Sequence, residues 1–222
     1  MSIKPIMGFP ATSQDDYQLN VTSILRHAAR SFGRQEVVSI KLDGSKLRFT
    51  YKEVYARVKR LGNALTGIGA QVGDRIGVLD WNSHRHLEAY YGIPGIGSVL
   101  LLLNIRLAKQ DLGYVVNHAE AKYILVDETL IPIAEAIAGQ CDTVKGYIIL
   151  TDKDLSEIKT SLFPVYSYEK LLQTADENIK WPVMDEKSAC AACYTSGTTG
   201  RPKGVYYSHR NVYLHHQNSH PE

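Results

Sequence analysis

At 222 residues the chain is long enough for one sizeable α/β domain, which should bury roughly 70% of the surface its unfolded form exposes. Its 25 Lys and Arg against 23 Asp and Glu leave a net charge of +2. That balance gives no electrostatic footprint for nucleic acid or an anionic membrane, and points to small-molecule partners. Three cysteines, an odd number, and the lack of a continuous apolar core in residues 1–16 argue against a disulfide framework and a signal peptide, so reduced thiols and a cytoplasmic location are expected. The longest uncharged run, 89–105, is cut by Gly92, Pro94, Gly95, Gly97 and Asn104, which makes it a helix end, a turn and a strand and excludes a transmembrane segment.

The apolar stripe Val21, Ile24, Leu25, Ala28 and Ala29 predicts a helix over 20–32, with Gly33 placed to follow its end. Strands at 36–41 and 46–50 flank Asp43-Gly44 and read as a hairpin. Thr50 with Glu53 three residues on forms a capping box for a helix that buries Val54, Val58, Leu61 and Leu65 and ends at Gly67 and Gly69. Gly67, Gly69 and Gly73 are not a dinucleotide fingerprint, because they follow a helix and precede a strand. From Arg75 the pattern alternates: strand 75–79, helix 83–93, strand 98–103, helix 108–118, strand 122–126, helix 130–138, strand 146–150. Alternation of this kind predicts an α/β fold, a largely parallel sheet flanked by helices and joined by right-handed crossovers. A polar connection over 151–161, a short helix over 167–174, a loop over 175–187, strands 188–194 and 204–207 and a last helix from Ser208 complete the reading.

Between those last two strands lies Tyr194-Thr-Ser-Gly-Thr-Thr-Gly-Arg-Pro-Lys-Gly204. Thr195, Ser196, Thr198 and Thr199 offer hydroxyl donors, Gly197 and Gly200 let backbone approach an anion, and Lys203 adds a point charge. Pro202 removes an N–H just before the lysine, so no helix N-terminus can begin there and the stretch is not a Walker A loop. Phosphate would be held by hydroxyls, loop amides and Lys203. The plainer alternative is a Gly/Ser/Thr turn, but a turn does not need eleven specified residues. With no large apolar side chain, residues 196–202 are expected to be mobile when empty.

Cys190 and Cys193 have redox or zinc spacing, yet they sit in an apolar run without a second ligand pair and read as small strand residues. His84 and His86 are two apart on a helix and point to different sides; only His216 and His220 have the spacing of a ligand pair, and packing or surface roles are expected for all of them.

The signature resembles that of the adenylate-forming superfamily, which includes acyl-CoA synthetases, luciferase-like enzymes and the adenylation domains of peptide synthetases. Trp81-Asn-Ser-His-Arg-His-Leu-Glu-Ala-Tyr, Asn104-Ile-Arg-Leu, Asn117-His-Ala-Glu-Ala-Lys and Tyr207-Ser-His-Arg are similar to segments of medium- and long-chain fatty-acid–CoA ligases. The resemblance runs from about residue 20 to about 218. It implies the amino-terminal subdomain of such an enzyme, with residues 1–222 forming the first part of the AMP-binding domain. The implied reaction joins a carboxylic acid to the α-phosphate of Mg-ATP, releases pyrophosphate, and passes the acyl group from the adenylate to coenzyme A. Thr195, Ser196, Gly197, Thr198, Thr199, Gly200 and Lys203 would bind the nucleotide phosphates, with Thr195 near Mg. The second Mg ligand, the acid tunnel and the catalytic lysine of the family match nothing in this chain, so no catalytic residue is assigned here and the chain alone is expected to be inactive. The resemblance also allows a homodimer. A fragment of an amino- or aryl-acid adenylating enzyme, or a non-catalytic module with a weak anion site, stays open beside this reading.

Overall fold

The structure is a computed structural model, and it describes residues 7–10, 13, 16–41, 43–195 and 200–218. Helix α1 (Thr22–Ser31) opens the fold and is followed by the antiparallel hairpin of β1 (Glu36–Ile40) and β2 (Lys46–Thr50). Gly44 takes a φ of +81° in its turn, the left-handed conformation that glycine adopts without Cβ strain. Helix α2 (Tyr51–Gly67) starts on the predicted capping box: Thr50 Oγ1 accepts from the Glu53 N–H, and the Glu53 carboxylate accepts from the Thr50 N–H at 2.7 Å. Its whole predicted stripe, Val54, Val58, Leu61 and Leu65, is buried.

Among the described residues the main sheet has seven strands. Its members are β3 (Arg75–Leu79), β4 (Val99–Leu102), β5 (Ala121–Asp127), β6 (Gly146–Leu150), β7 (Val165–Ser167), β8 (Ala189–Thr195) and β9 (Lys203–Ser208), in the order β7-β6-β5-β3-β4-β8-β9. Every pair is parallel except β8 with β9. Helices α4 (Lys109–His118) and α5 (Ile131–Ala138) bury Leu112, Val115, Ile131 and Ile137 on one face of it. Helices α2, α3 (His84–Gly95) and α6 (Tyr168–Thr174) bury Leu61, Leu65, Ile93 and Tyr168 on the other. Strands covered on both faces must be apolar throughout, and Val99–Leu102 and Gly146–Leu150 are. Helix α7 (His209–Asn218) closes the described chain, with Ser208 Oγ accepting from the Asn211 N–H at its start.

Three details depart from the sequence reading. Strand β7 lies between the polar connection and the short helix, in residues given no element and at the first residue of that helix, since three residues are too few to show a period of two. A 3₁₀ turn, Leu155–Glu157, interrupts the polar connection. Helix α3 continues through Pro94 to Gly95, where a turn was expected. Packing overrides propensity there. The Trp181 ring, carried by the loop before β8, wedges between α2 and α3 where both present glycine: a Cβ at Gly62 would stand 2.7 Å from that ring, and one at Gly95 2.5 Å.

A charged network pins the same helices together. Arg57 of α2 donates twice to Glu88 of α3, at 2.6 and 3.2 Å, and twice to Glu169 of α6, at 3.0 and 2.9 Å. Tyr168 donates to Glu88 at 2.6 Å, and Arg85 bridges Glu169 and Asp152. Glu88 is fully buried. Burial pushes its carboxyl above the usual range, against the pull of Arg57 and the Tyr168 hydroxyl, while the two glutamates together hold the Arg57 guanidinium charged.

Candidate phosphate-binding site

The loops leaving β3 and β4 run to opposite faces, because α3 lies on one side of the sheet and α4 on the other. A crevice therefore opens at the carboxyl ends of these strands, the usual ligand position of an open α/β sheet. Strand β8 lies beside β4 and runs parallel to it, so it delivers Thr195 to that same edge. The chain then turns and comes back antiparallel as β9.

Thr195 and Lys203 are direct partners in the β8–β9 register. Directly opposed residues of an antiparallel pair project to the same face, about 4.5–5.5 Å apart at Cα. A hydroxyl and an ammonium group thus leave the sheet side by side at its carboxyl edge. Both residues are exposed, and among the described residues Lys203 has no carboxylate partner. Of the other residues assigned to the loop by sequence, Gly200 is exposed on the returning limb, and Ser196, Gly197, Thr198 and Thr199 lie outside the described residues. The expectation of a mobile loop falls chiefly on those four. A cation with no carboxylate partner among the described residues, beside a hydroxyl, is chemically suited to a polyphosphate with its divalent ion: an ammonium can pair with phosphate oxygens, and a neutral hydroxyl can join the oxygen shell of Mg.

The two limbs are held differently. Tyr194 turns to the α4 face, where its hydroxyl is hydrogen-bonded to His118 Nδ1 at 2.8 Å and its ring fills the space beside Gly204. Cys190 is buried, and its thiol is pushed up to about 12 by that burial; Cys193, half-buried, is raised for the same reason. Thiols so poorly ionised are structural, as the sequence suggested.

Sequence reasoning missed one polar group at this edge. Asp80, just after β3, accepts from the Ser83 N–H at 3.1 Å and Oγ–H at 2.7 Å, and its Oδ2 lies 3.5 Å from His86 Nδ1. Burial raises this carboxyl, but the nearby His86 ring and the two hydrogen bonds from Ser83 outweigh burial and hold it below the usual range. The Asp80-x-x-Ser83 spacing was the available signal. His84 and His209 are also buried, and burial lowers each to about 4, so both are neutral packing groups. Among the described residues no cluster of three or more His, Cys, Asp or Glu could hold a metal, and no helix is long and apolar enough to cross a membrane.

A second cleft, of about 700 Å³, opens at the same edge between the β1–β2 hairpin and the ends of β3, β5 and β6. Its cations are each paired, Lys41 and Arg85 on Asp152 and Lys153 on Glu128. Among the described residues it offers an incoming anion no free cation comparable to Lys203.

Comparison with known proteins agrees with this architecture. The chain is 42% identical over 197 residues to a 3-methylmercaptopropionyl-CoA ligase of Ruegeria lacuscaerulensis, and 42% identical over 198 residues to a medium-chain-fatty-acid–CoA ligase of Ectopseudomonas oleovorans. It is also 42% identical over 208 residues to a long-chain-fatty-acid–CoA ligase of Thermus thermophilus. The matches cover 89%, 89% and 94% of this chain and 36% of each relative, so the chain spans about a third of the length of the curated relatives it matches. The solved structure of the anthranilate CoA ligase AuaEII with anthranoyl-AMP superposes with a TM-score of 0.77 at 21% identity, covering 89% of this chain and 36% of that one, a likeness of fold. The sequence profile of the AMP-binding enzymes matches residues 25–220, and with the signature at the carboxyl edge of the sheet this places the chain in the AMP-binding enzyme family.

Proposed function

We propose that this chain is the amino-terminal part of an ATP-dependent acid–CoA ligase whose acid is a medium- or long-chain fatty acid. The observation that carries the reading is the Thr195–Lys203 pair, a hydroxyl and an ammonium with no carboxylate partner among the described residues, presented together at the crevice of the sheet. In the first half-reaction a carboxylate oxygen of the acid bonds to the α-phosphorus of ATP while the bond to the β-phosphate oxygen breaks, and pyrophosphate carries that electron pair away. Negative charge accumulates on the leaving pyrophosphate, and donors fixed beforehand stabilise it more than they stabilise bound ATP. Lys203 is such a donor, and the hydroxyls and amides of residues 195–200 add uncharged ones. Magnesium would supply further charge neutralisation between phosphate oxygens, with Thr195 among its oxygen contacts. The second half-reaction replaces AMP on the acyl carbon by the thiol of coenzyme A, and no described residue of this chain is assigned to it.

Relatives of equal identity differ in the acid they are named for, one being a 3-methylmercaptopropionyl-CoA ligase. The acid class is therefore read by acid-dependent ATP–pyrophosphate exchange in a protein carrying this chain over the full length of its relatives. Exchange fastest with medium- or long-chain fatty acids is expected. Exchange confined to amino or aryl acids, or no exchange with any acid, overturns the proposal.

A further inference from the structure

One helix touches both ends of the signature. On α4, Tyr114 and His118 are four residues apart and share a face, with ring centroids 5.3 Å apart. His118 meets Tyr194, the residue before the hydroxyl run, by the 2.8 Å hydrogen bond and an edge-on ring contact at 5.7 Å. Tyr114 meets Arg201, on the returning limb, whose guanidinium carbon stands 5.1 Å from the ring centroid. Tyr194 is also the register partner of Gly204, and a Cβ at that glycine would stand 2.8 Å from the Tyr194 ring, so the ring lies across the base of both limbs. The stack runs Arg201, Tyr114, His118, Tyr194, and joins both limbs of the signature to one helix far earlier in the chain.

We propose that Tyr114 and His118 are positioning residues for the phosphate site. They fix the two ends of the signature to α4, on the side of the sheet opposite to that on which Thr195 and Lys203 project, and so hold the hydroxyl and the ammonium in register. The inference rests on the phosphate reading of the signature, but the holding itself does not require a ligand. A cation over a half-buried tyrosine face at the surface is weak, about two- to five-fold in an equilibrium, and that factor is the size of the expected effects.

The test is a double-mutant cycle on this chain, Tyr114→Leu, Arg201→Leu and both together. It is read by hydrogen–deuterium exchange at the Lys203 and Gly204 amides and by titration with inorganic pyrophosphate. Each single variant is expected to speed exchange at those two amides about two- to five-fold, with β3 and β5 unchanged and the double variant no faster than the faster single one. Tyr114→Phe keeps the ring face and should match the unmodified chain, whereas His118→Leu should loosen Tyr194 and Thr195 by a similar factor. Pyrophosphate should bind two- to five-fold more weakly to the Leu variants. Single effects that multiply, or exchange unmoved by Tyr114→Leu, overturn the clamp; pyrophosphate affinity unmoved by variants that do loosen the limbs overturns the positioning role. An unmodified chain that ignores pyrophosphate removes the phosphate reading, and the exchange cycle then decides the clamp alone.

Discussion

Replacing Arg57 with leucine tests what holds the helical layer under the sheet. The substitution deletes all four hydrogen bonds that the guanidinium makes to Glu88 and Glu169. Glu169 keeps Arg85, but Glu88, with no solvent exposure, keeps only the Tyr168 hydroxyl. Leaving a buried charge without its partner costs about 3–5 kcal/mol, several times the 0–1 kcal/mol of an exposed pair. In a chain of this size each kcal/mol moves the midpoint by about 2–4 °C, so Tm should fall by roughly 6–20 °C. Urea unfolding followed by circular dichroism measures the loss. Removing the stranded charge as well, in Arg57→Leu with Glu88→Leu, should restore part of it, because the burial cost disappears with the carboxylate. A loss under about 1 kcal/mol for Arg57→Leu, or a double variant worse than the sum of the singles, would refute this account of the network.

Two further predictions concern packing and pH. His84 and His209 are buried and lowered to about 4 from an ordinary 6.5, so the unfolded chain binds more protons than the folded one between those values and stability falls as pH falls through them. Each should have removed about 2 kcal/mol by pH 5 relative to pH 7.5, and His209→Gln, which deletes one titrating group, should flatten the slope; stability unchanged from pH 7.5 to 5 would contradict their burial in neutral form. Gly95→Ala should destabilise by about 1–3 kcal/mol, although alanine is the better helix former, because its methyl group meets the Trp181 ring; a stabilised variant, judged by urea midpoint, would show that the ring moves aside.

The sheet was legible because its strands and helices alternate with clear periods, and the β1–β2 hairpin and the α2 capping box were written in local residues. The ends were less so. Strand β7 is too short to carry a pattern, and α3 runs on through Pro94 to Gly95 where Trp181 fills the notch left by Gly95 and by Gly62 of α2, a contact no local window contains. At the site, residue type and spacing singled out Thr195 and Lys203 as candidates, but their register as cross-strand partners was not readable. The Arg57–Glu88–Glu169 network and the Arg201–Tyr114–His118–Tyr194 stack join residues about 30 to 110 positions apart, and only the fold brings them together.

The most direct measurement of the central claim separates the two half-reactions for Lys203→Ala in a protein carrying this chain over the full length of its relatives. Acid-dependent ATP–pyrophosphate exchange should slow by about 10²–10³-fold, the usual loss when one donor to developing charge is removed, while coenzyme A capture of pre-formed acyl-adenylate should change far less. Equal losses in both half-reactions, or exchange at the unmodified rate, would contradict a phosphate-holding role for Lys203.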